Sequence, residues 1–372
     1  MEAKVFDIIK AMEMIAPIRL AEEWDNVGLQ VGRSNWPVRT IWVALDPCPD
    51  VVNDACRNGV DLLITHHPLI FHPLRSIDLN SPVGALIQKA IQHQMAIFSA
   101  HTNLDNAIDG LNDILARRIG MKNLKVLGKV VPAENYKLVL YVPVMYEQQI
   151  INSIFETKAG EIGSYTCCSF RNKGTGTYKP GTSSKPFAGK VDEISHVDEI
   201  RIETVVPKSD LNNVIEHVRK NHPYETMAYD IYPLIENEDS QGSGRIGDLA
   251  ESTELISFAR SIKEKLGLSS IKIAGNPDLK VNTAAVCTGS GSSLMNHFIS
   301  SQAQVYISGD LRYHDARAVE VANLGLIDIG HFASEHLIVD VLSDRLEKIL
   351  SKDGFYVKVE AYGLENDPFR II

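Results

Sequence analysis

Near the N-terminus Val5, Ile8, Ile9, Met12 and Ile15 recur at helical spacing, which predicts an amphipathic helix over 4–16 that stops at Pro17. A loop, EEWDNVGLQVG, follows at 22–32. The pattern then changes to short continuous apolar runs. TIWVALD (40–46), DLLIT (61–65) and AIFSA (96–100) predict buried strands. Between and after them, helices are predicted over PDVVNDACRNG, ending at Gly59, over 82–93, and over 111–120 with its cap at Gly120. Strands alternating with helices predict an α/β fold with a mostly parallel sheet sandwiched between helices.

From about Val126 the pattern is different. YKLVLYVP (136–143), a helix over 146–158, EIRIETVVP (199–207), a helix over 208–220 and MAYDIYPL (227–234) read as strand, helix, strand, twice. This split βαβ layout predicts a ferredoxin-like module, with GTGTYKPGTSSKPFAGK (174–190) as a long exposed loop. Alternation resumes near Arg245, with helices predicted over 253–266, 292–300, 314–324 and 334–350. Strands are predicted over 281–287, QVYISGD (304–310) and LIDIGH (326–331). The economical reading is one α/β domain made of 1–125 and 246–372, interrupted by an inserted domain at 126–245.

The chain's 372 residues suit two or three domains at roughly 150 residues each. With 44% hydrophobic and 23% charged residues it can build real cores. The 37 Lys and Arg against 47 Asp and Glu leave a formal charge of −10, which repels phosphate backbones and argues against general nucleic-acid binding. No apolar run approaches the ~18 residues of a membrane span, and the N-terminus lacks the apolar core of a secretory signal. Five cysteines, an odd number, form neither a disulfide framework nor a CxxC knuckle, so the expected compartment is the cytoplasm.

Three predicted strand ends carry candidate chemistry. DLLITHHPLIF places His66 and His67 directly after a buried strand, where open α/β sheets gather ligands; the plainer reading is a histidine pair satisfied in the core. FSAHTNLDNAIDG places His101 and Asp105 after the next strand, although Asp105 alone could cap a helix. LIDIGHFASEH places His331 and Glu335 four residues apart on one helical face. His336 and His72 are spares that read singly as surface or packing residues. Parallel strand ends converge, and five nitrogen and oxygen ligands without a thiolate suit two divalent ions, among Zn, Fe, Mn, Co and Ni. A bridging carboxylate, with Asp105 the best candidate, could hold the pair and generate a nucleophilic hydroxide.

The stretches HHPLIF, HTNLD, SGDLRYHDA and GHFASE, with EEWDNVGLQVG and the inserted NHPYETMAYDIYPL, resemble the NGG-interacting-factor-three-like family, often labelled GTP cyclohydrolase type II homologues. The resemblance covers nearly the whole chain, and the insert marks the longer bacterial form. It implies a two-metal site, zinc preferred, with His66, His67, Asp105, His331 and Glu335 as ligands and His101 behind them, orienting Asp105 or a metal-bound water. It also implies that the insert is similar to PII and CutA proteins and that subunits form a hollow homohexamer with inward-facing metal sites.

Other residues carry weaker signals. TGSGSS opens a helix after a strand, so the amides of Gly289, Ser290, Gly291 and Ser292 could form an anion nest, with Arg312 as a further phosphate ligand; a plain turn is the alternative. GSGRIG (242–247) matches GxGxxG but opens no capped helix, and no GxxxxGK[ST] occurs. Trp24, Asp25 and Asn26 could hold a purine base or anchor a turn through a buried Trp. Asp310 and His314 could line the cavity as acid and base or sit in surface salt bridges. His222, Pro223 and Glu225 read as structural. The sequence therefore points to a metal-dependent hydrolase of a small phosphorylated compound. If the family label holds, a metal-bound hydroxide attacks C8 of the guanine ring of GTP while Asp310 or His314 shuttles protons. The alternative is a non-enzymatic metal-handling or regulatory protein.

Overall fold

The computed structural model describes residues 2–128, 135–162, 165–234 and 241–371. They form two compact units, one from the two ends of the chain and one from 135–234. The first unit contains two main sheets. One has five strands in the order Lys358–Ala361, Thr40–Ala44, Leu62–Thr65, Ala96–Ser99, Gly28–Val31. Its first four are parallel and Gly28–Val31 is antiparallel. The strands Leu62–Thr65 and Ala96–Ser99 are buried throughout, as parallel strands covered on both faces require. Val5, Ile8 and Met12 of helix Val5–Ile15 pack with Leu342, Leu346 and Leu350 of helix Ile338–Lys352 over one face. Val52 and Ala55 of Pro49–Arg57 and Ile87 and Ala90 of Pro82–Gln92 cover the other.

The second sheet has six strands in the order Lys272–Ala274, Gly325–Asp328, Val305–Gly309, Lys280–Ser290, Arg245–Glu254, Met121–Val126. Only the pairings among Gly325–Asp328, Val305–Gly309 and Lys280–Ser290 are parallel. The single, mostly parallel sheet expected from the sequence is therefore corrected to two main sheets, one parallel except for its edge strand Gly28–Val31 and one of mixed direction. The antiparallel strands MKNLKV and RIGDLAESTE carry many polar, partly exposed residues, which antiparallel strands with one wet face accept and doubly covered parallel strands do not. Their pairing, Arg245 opposite Val126, also moves the domain boundaries, because the expected cuts at 125/126 and 245/246 separate residues that share a sheet.

Arg245, 2% exposed, joins the two ends of the chain. Its Nε and Nη2 donate to Asp113 at 3.0 and 2.8 Å, and its Nη1 donates to the carbonyls of Gly242 and Gly244. The helix expected over 334–350 is two helices, His331–Glu335 and Ile338–Lys352.

The 135–234 unit is a four-stranded antiparallel sheet in the order Tyr229–Pro233, Asn135–Pro143, Ser195–Pro207, Ser169–Tyr178. Helices Glu147–Phe155 and Leu211–Asn221 pack over it through Ile150, Ile154, Val214 and Val218. The loop expected over 174–190 begins only after Tyr178. Its Gly- and Thr-rich start lacks apolar side chains yet pairs backbone to backbone with Ser195–Pro207 as an exposed edge strand.

Candidate metal centre

Two sheets deliver the candidate ligands. His66 and His67 follow Leu62–Thr65, and His101 follows Ala96–Ser99. His331 and Glu335 lie on the short helix after Gly325–Asp328 of the other sheet. The turn at the histidine pair is pinned by Thr65, whose hydroxyl donates to the His67 carbonyl at 2.7 Å. Two overlapping groups result, His66 with His67 and His101, and His67 with His331 and Glu335.

Each of these four imidazoles is held by its Nδ1. His66 Nδ1 meets the Ala100 carbonyl at 2.9 Å, His67 Nδ1 meets Asp46 at 2.7 Å, His101 Nδ1 meets Asp25 at 2.9 Å, and His331 Nδ1 meets Asp310 at 2.7 Å. A carbonyl or carboxylate can only accept, so each Nδ1 carries a proton and Nε2 is the ring atom left for a cation. Three of those Nε2 atoms face carboxylates. His67 Nε2 and His331 Nε2 both lie 3.0 Å from Glu335 Oε2, and His66 Nε2 lies 3.7 Å from Glu335 and 3.8 Å from Asp105.

The donor set fits a divalent ion. His66 Nε2 and Glu335 Oε2 are buried and lack a hydrogen-bond partner among the described residues, and a buried acceptor left unmatched is costly. Two ligand atoms about 2.1 Å from one ion lie about 3.0–3.4 Å apart for angles between square and tetrahedral, which brackets the His67–Glu335 and His331–Glu335 separations.

The local potential favours positive charge. Burial opposes ionisation of Glu335, yet His331, His66 and His67 hold its carboxyl well below the usual range. Burial opposes protonation of His67 too, but Asp46 and Glu335 outweigh it and push the ring to about 10. Glu335, helped by Asp310, pushes His331 to about 9. Partial burial and the nearby Glu335 push Asp105 up although His66 opposes them, while its Oδ1 accepts from the Thr288 hydroxyl at 3.1 Å.

Gly289 shapes the floor. Its φ is +63°, and a Cβ there would stand 2.2 Å from Glu335 Oε1, so the side chain's absence makes room for the carboxylate.

Several sequence expectations are revised. His101 joins the cluster itself, with Asp25 behind it, and Asp105 falls outside both groups although it lies beside His66. Asp310, half exposed, accepts from His331 Nδ1 at 2.7 Å and so stands behind one of the grouped rings. His314 is exposed and packs edge-on against Tyr313, and Arg312 is exposed at its helix start. One amide of the expected anion nest is taken, since the Gly289 N–H donates to Ser334 Oγ at 2.8 Å; the Ser292 hydroxyl donates to Asp315 at 2.6 Å. Trp24 is not a buried anchor. It is 59% exposed, with its ring 5.7 Å from Phe71 and 6.0 Å from His101. His336 stacks on Phe332 and lies 3.6 Å from Glu365, and His72 packs against Phe71; neither belongs to the two groups.

Asp46 and Glu365 were missed altogether. Glu365, near the C-terminal end of the chain, accepts from the Leu45 and Asp46 amides at 2.8 Å each and so fixes the loop that carries Asp46. The available signal was Asp46 at the end of a predicted strand, in the same position as the histidines; nothing local marks Glu365.

Residues 3–368 match the model of the Duf34/NIF3 (NGG1p interacting factor 3) family. A Bacillus subtilis relative named "GTP cyclohydrolase 1 type 2 homolog" is 37% identical over 365 residues, 98% of each chain. One of the same name from Halalkalibacterium halodurans is 36% identical over the same length. Among solved structures, a Bacillus cereus protein related to NIF3 superposes with a TM-score of 0.88 at 35% identity over the whole of both chains. The chain accordingly belongs to the DUF34/NIF3 family.

Proposed function

We propose that this protein is a hydrolase that uses two divalent ions, zinc foremost, on a small phosphorylated compound of the nucleotide class. The observation that carries the reading is the convergence of the Nε2 atoms of His66, His67 and His331, each ring fixed through Nδ1, on the buried Glu335 carboxylate, with His101 grouped beside His66 and His67. His66 and His101 would hold one ion, His331 and Glu335 the other, with His67 between the groups and Asp105 beside His66 as the bridging candidate. Ions bound there polarise an ester or ring substrate and lower the pKa of water.

The chain's own residues orient and select. Asp25, Asp46 and Asp310 keep the rings in one tautomer and direction, which raises their basicity as ligands. Trp24 and Phe71, 59% and 45% exposed beside His101 with their rings inclined at 48°, offer apolar aromatic surface for a heterocyclic base. A chain of net charge −10 attracts a polyanion only where cations invert the local potential. The relatives' names support GTP as the first substrate to try.

On the same family ground we propose a homohexamer. The order of the antiparallel strands in the 135–234 unit, with both helices packed on them, supports a ferredoxin-like module of PII/CutA type. All five cysteines are free thiols, which fits a reducing cytoplasm.

The test is elemental analysis after zinc reconstitution, calorimetry of GTP with apo and loaded protein, and product analysis over a nucleotide panel. Two ions per chain, metal-dependent binding and a hydrolysed product are expected. Tight metal binding with no product from any nucleotide would replace this reading with the metal-handling one.

A further inference from the structure

The 135–234 unit contains a cavity of about 420 Å³, within the range of small-molecule sites. Its walls include three rings, with Tyr178 and Tyr224 at 6.0 Å and Phe187 and Tyr224 at 5.8 Å between centroids. It is also lined by the carboxylate of Glu199, on strand Ser195–Pro207, a residue only 8% exposed. The Tyr224 hydroxyl donates to Glu199 Oε1 at 2.6 Å. No donor contacts Oε2 among the described residues.

The surroundings are shaped for that carboxylate. On the neighbouring strand a Cβ at Gly176 would stand 2.2 Å from Glu199 Oε2, so the glycine leaves the room the oxygens occupy. Tyr224 is aimed by His222, whose Nδ1 accepts from the Tyr224 amide at 3.1 Å while its Nε2 donates to the Tyr141 carbonyl at 3.1 Å. Burial and the Glu199 charge push the Tyr224 hydroxyl up, which keeps it a donor. Glu225 accepts from the Lys185 amide at 2.8 Å, bringing a second carboxylate into the lining. The lining charges are thus Glu199 and Glu225 against Lys185.

A half-satisfied carboxylate beneath aromatic faces selects positive charge, because the ring faces and the carboxylate attract the same cation. We propose that this cavity binds a small organic cation carrying N–H donors, a guanidinium or a protonated amine. The cation's N–H groups donate to Glu199 Oε2, and its apolar part lies against Tyr178, Phe187 and Tyr224. The proposal does not depend on the hydrolase reading.

Calorimetric titration of the full chain with agmatine tests it, with glutarate as the anionic counterpart of similar length. Expected are saturable binding of one agmatine per chain and no binding of glutarate. Glu199→Gln, which keeps the shape but removes the charge, lowers agmatine affinity tenfold or more. Phe187→Ala, at a 40% exposed position where folding is not at stake, lowers it several-fold. Absence of saturable agmatine binding, affinity unchanged in both variants, or glutarate binding more tightly than agmatine would each overturn the proposal.

Discussion

Gly289→Ala is the sharpest perturbation of the metal centre, because it adds one methyl group and changes no charge. The new Cβ would lie 2.2 Å from Glu335 Oε1 and 3.4 Å from His331 Nε2. Ordinary contacts begin near 3.4 Å, so the carboxylate must retreat by about 1 Å, several times the roughly 0.2 Å tolerance of a metal–ligand distance. Disturbing a residue that merely supports a ligand costs about 10–100-fold in metal affinity, and displacing a ligand itself should cost at least about 100-fold. The positive φ of +63° adds about 1–2 kcal/mol of backbone strain for alanine, which lowers the melting temperature of the metal-free protein by about 2–8 °C. Gly267→Ala separates the two effects, since that position has φ +65° and nothing within 4 Å of the added Cβ. Competition for zinc against a calibrated chelator, together with melting curves of both variants, gives the answer. Gly289→Ala should lose metal and stability, and Gly267→Ala stability alone. Wild-type zinc affinity in Gly289→Ala would refute the placement of Glu335 in the site.

The remaining predictions test the supports of the site and the units around it. Asp25→Ala and Asp310→Ala free the Nδ1 atoms of His101 and His331, and each should weaken zinc binding about 10–100-fold, measured by chelator competition; the metal-free melt should change little for the exposed Asp310 and fall for Asp25, whose buried carboxylate also accepts from the Thr102 amide and hydroxyl. Glu365→Ala should weaken zinc in the same direction through the Asp46 loop, and unchanged affinity would show that Asp46 is held otherwise. Arg245→Ala strands the buried Asp113 carboxylate and should destabilise the α/β unit by about 3–5 kcal/mol, read as a shift in urea midpoint. Burial lowers the His222 pKa from 6.5 although the Tyr141 carbonyl and Glu199 oppose it. The unfolded chain therefore takes up the proton first, and the 135–234 unit should lose stability progressively as pH falls below about 6.5. Urea melts across that range should show the loss, and His222→Gln should flatten it.

Local pattern determined much of this protein. Val5 to Ile15 lies on a helix, the apolar runs at 40–46, 61–65 and 96–100 lie in buried strands, and the histidines stand at strand ends, because periodicity and strand termination are properties of neighbouring residues. A change of rhythm near residue 126 was legible for the same reason, a few residues before the point where the second compact unit begins. What sequence spacing could not show was pairing at long range. The edge strand Ser169–Tyr178 has almost no apolar residues and exists because the backbone of Ser195–Pro207 accepts it. Asp25, Asp46 and Asp310 are 76, 21 and 21 positions from the histidines they hold, and Glu365 reaches back 319 positions to the Asp46 amide. Such partners are chosen by which strands lie side by side in a sheet. Hydrogen bonds act over about 3 Å irrespective of chain separation, so only the folded chain decides which carboxylate stands behind which imidazole, and which glycine must leave room for Glu335.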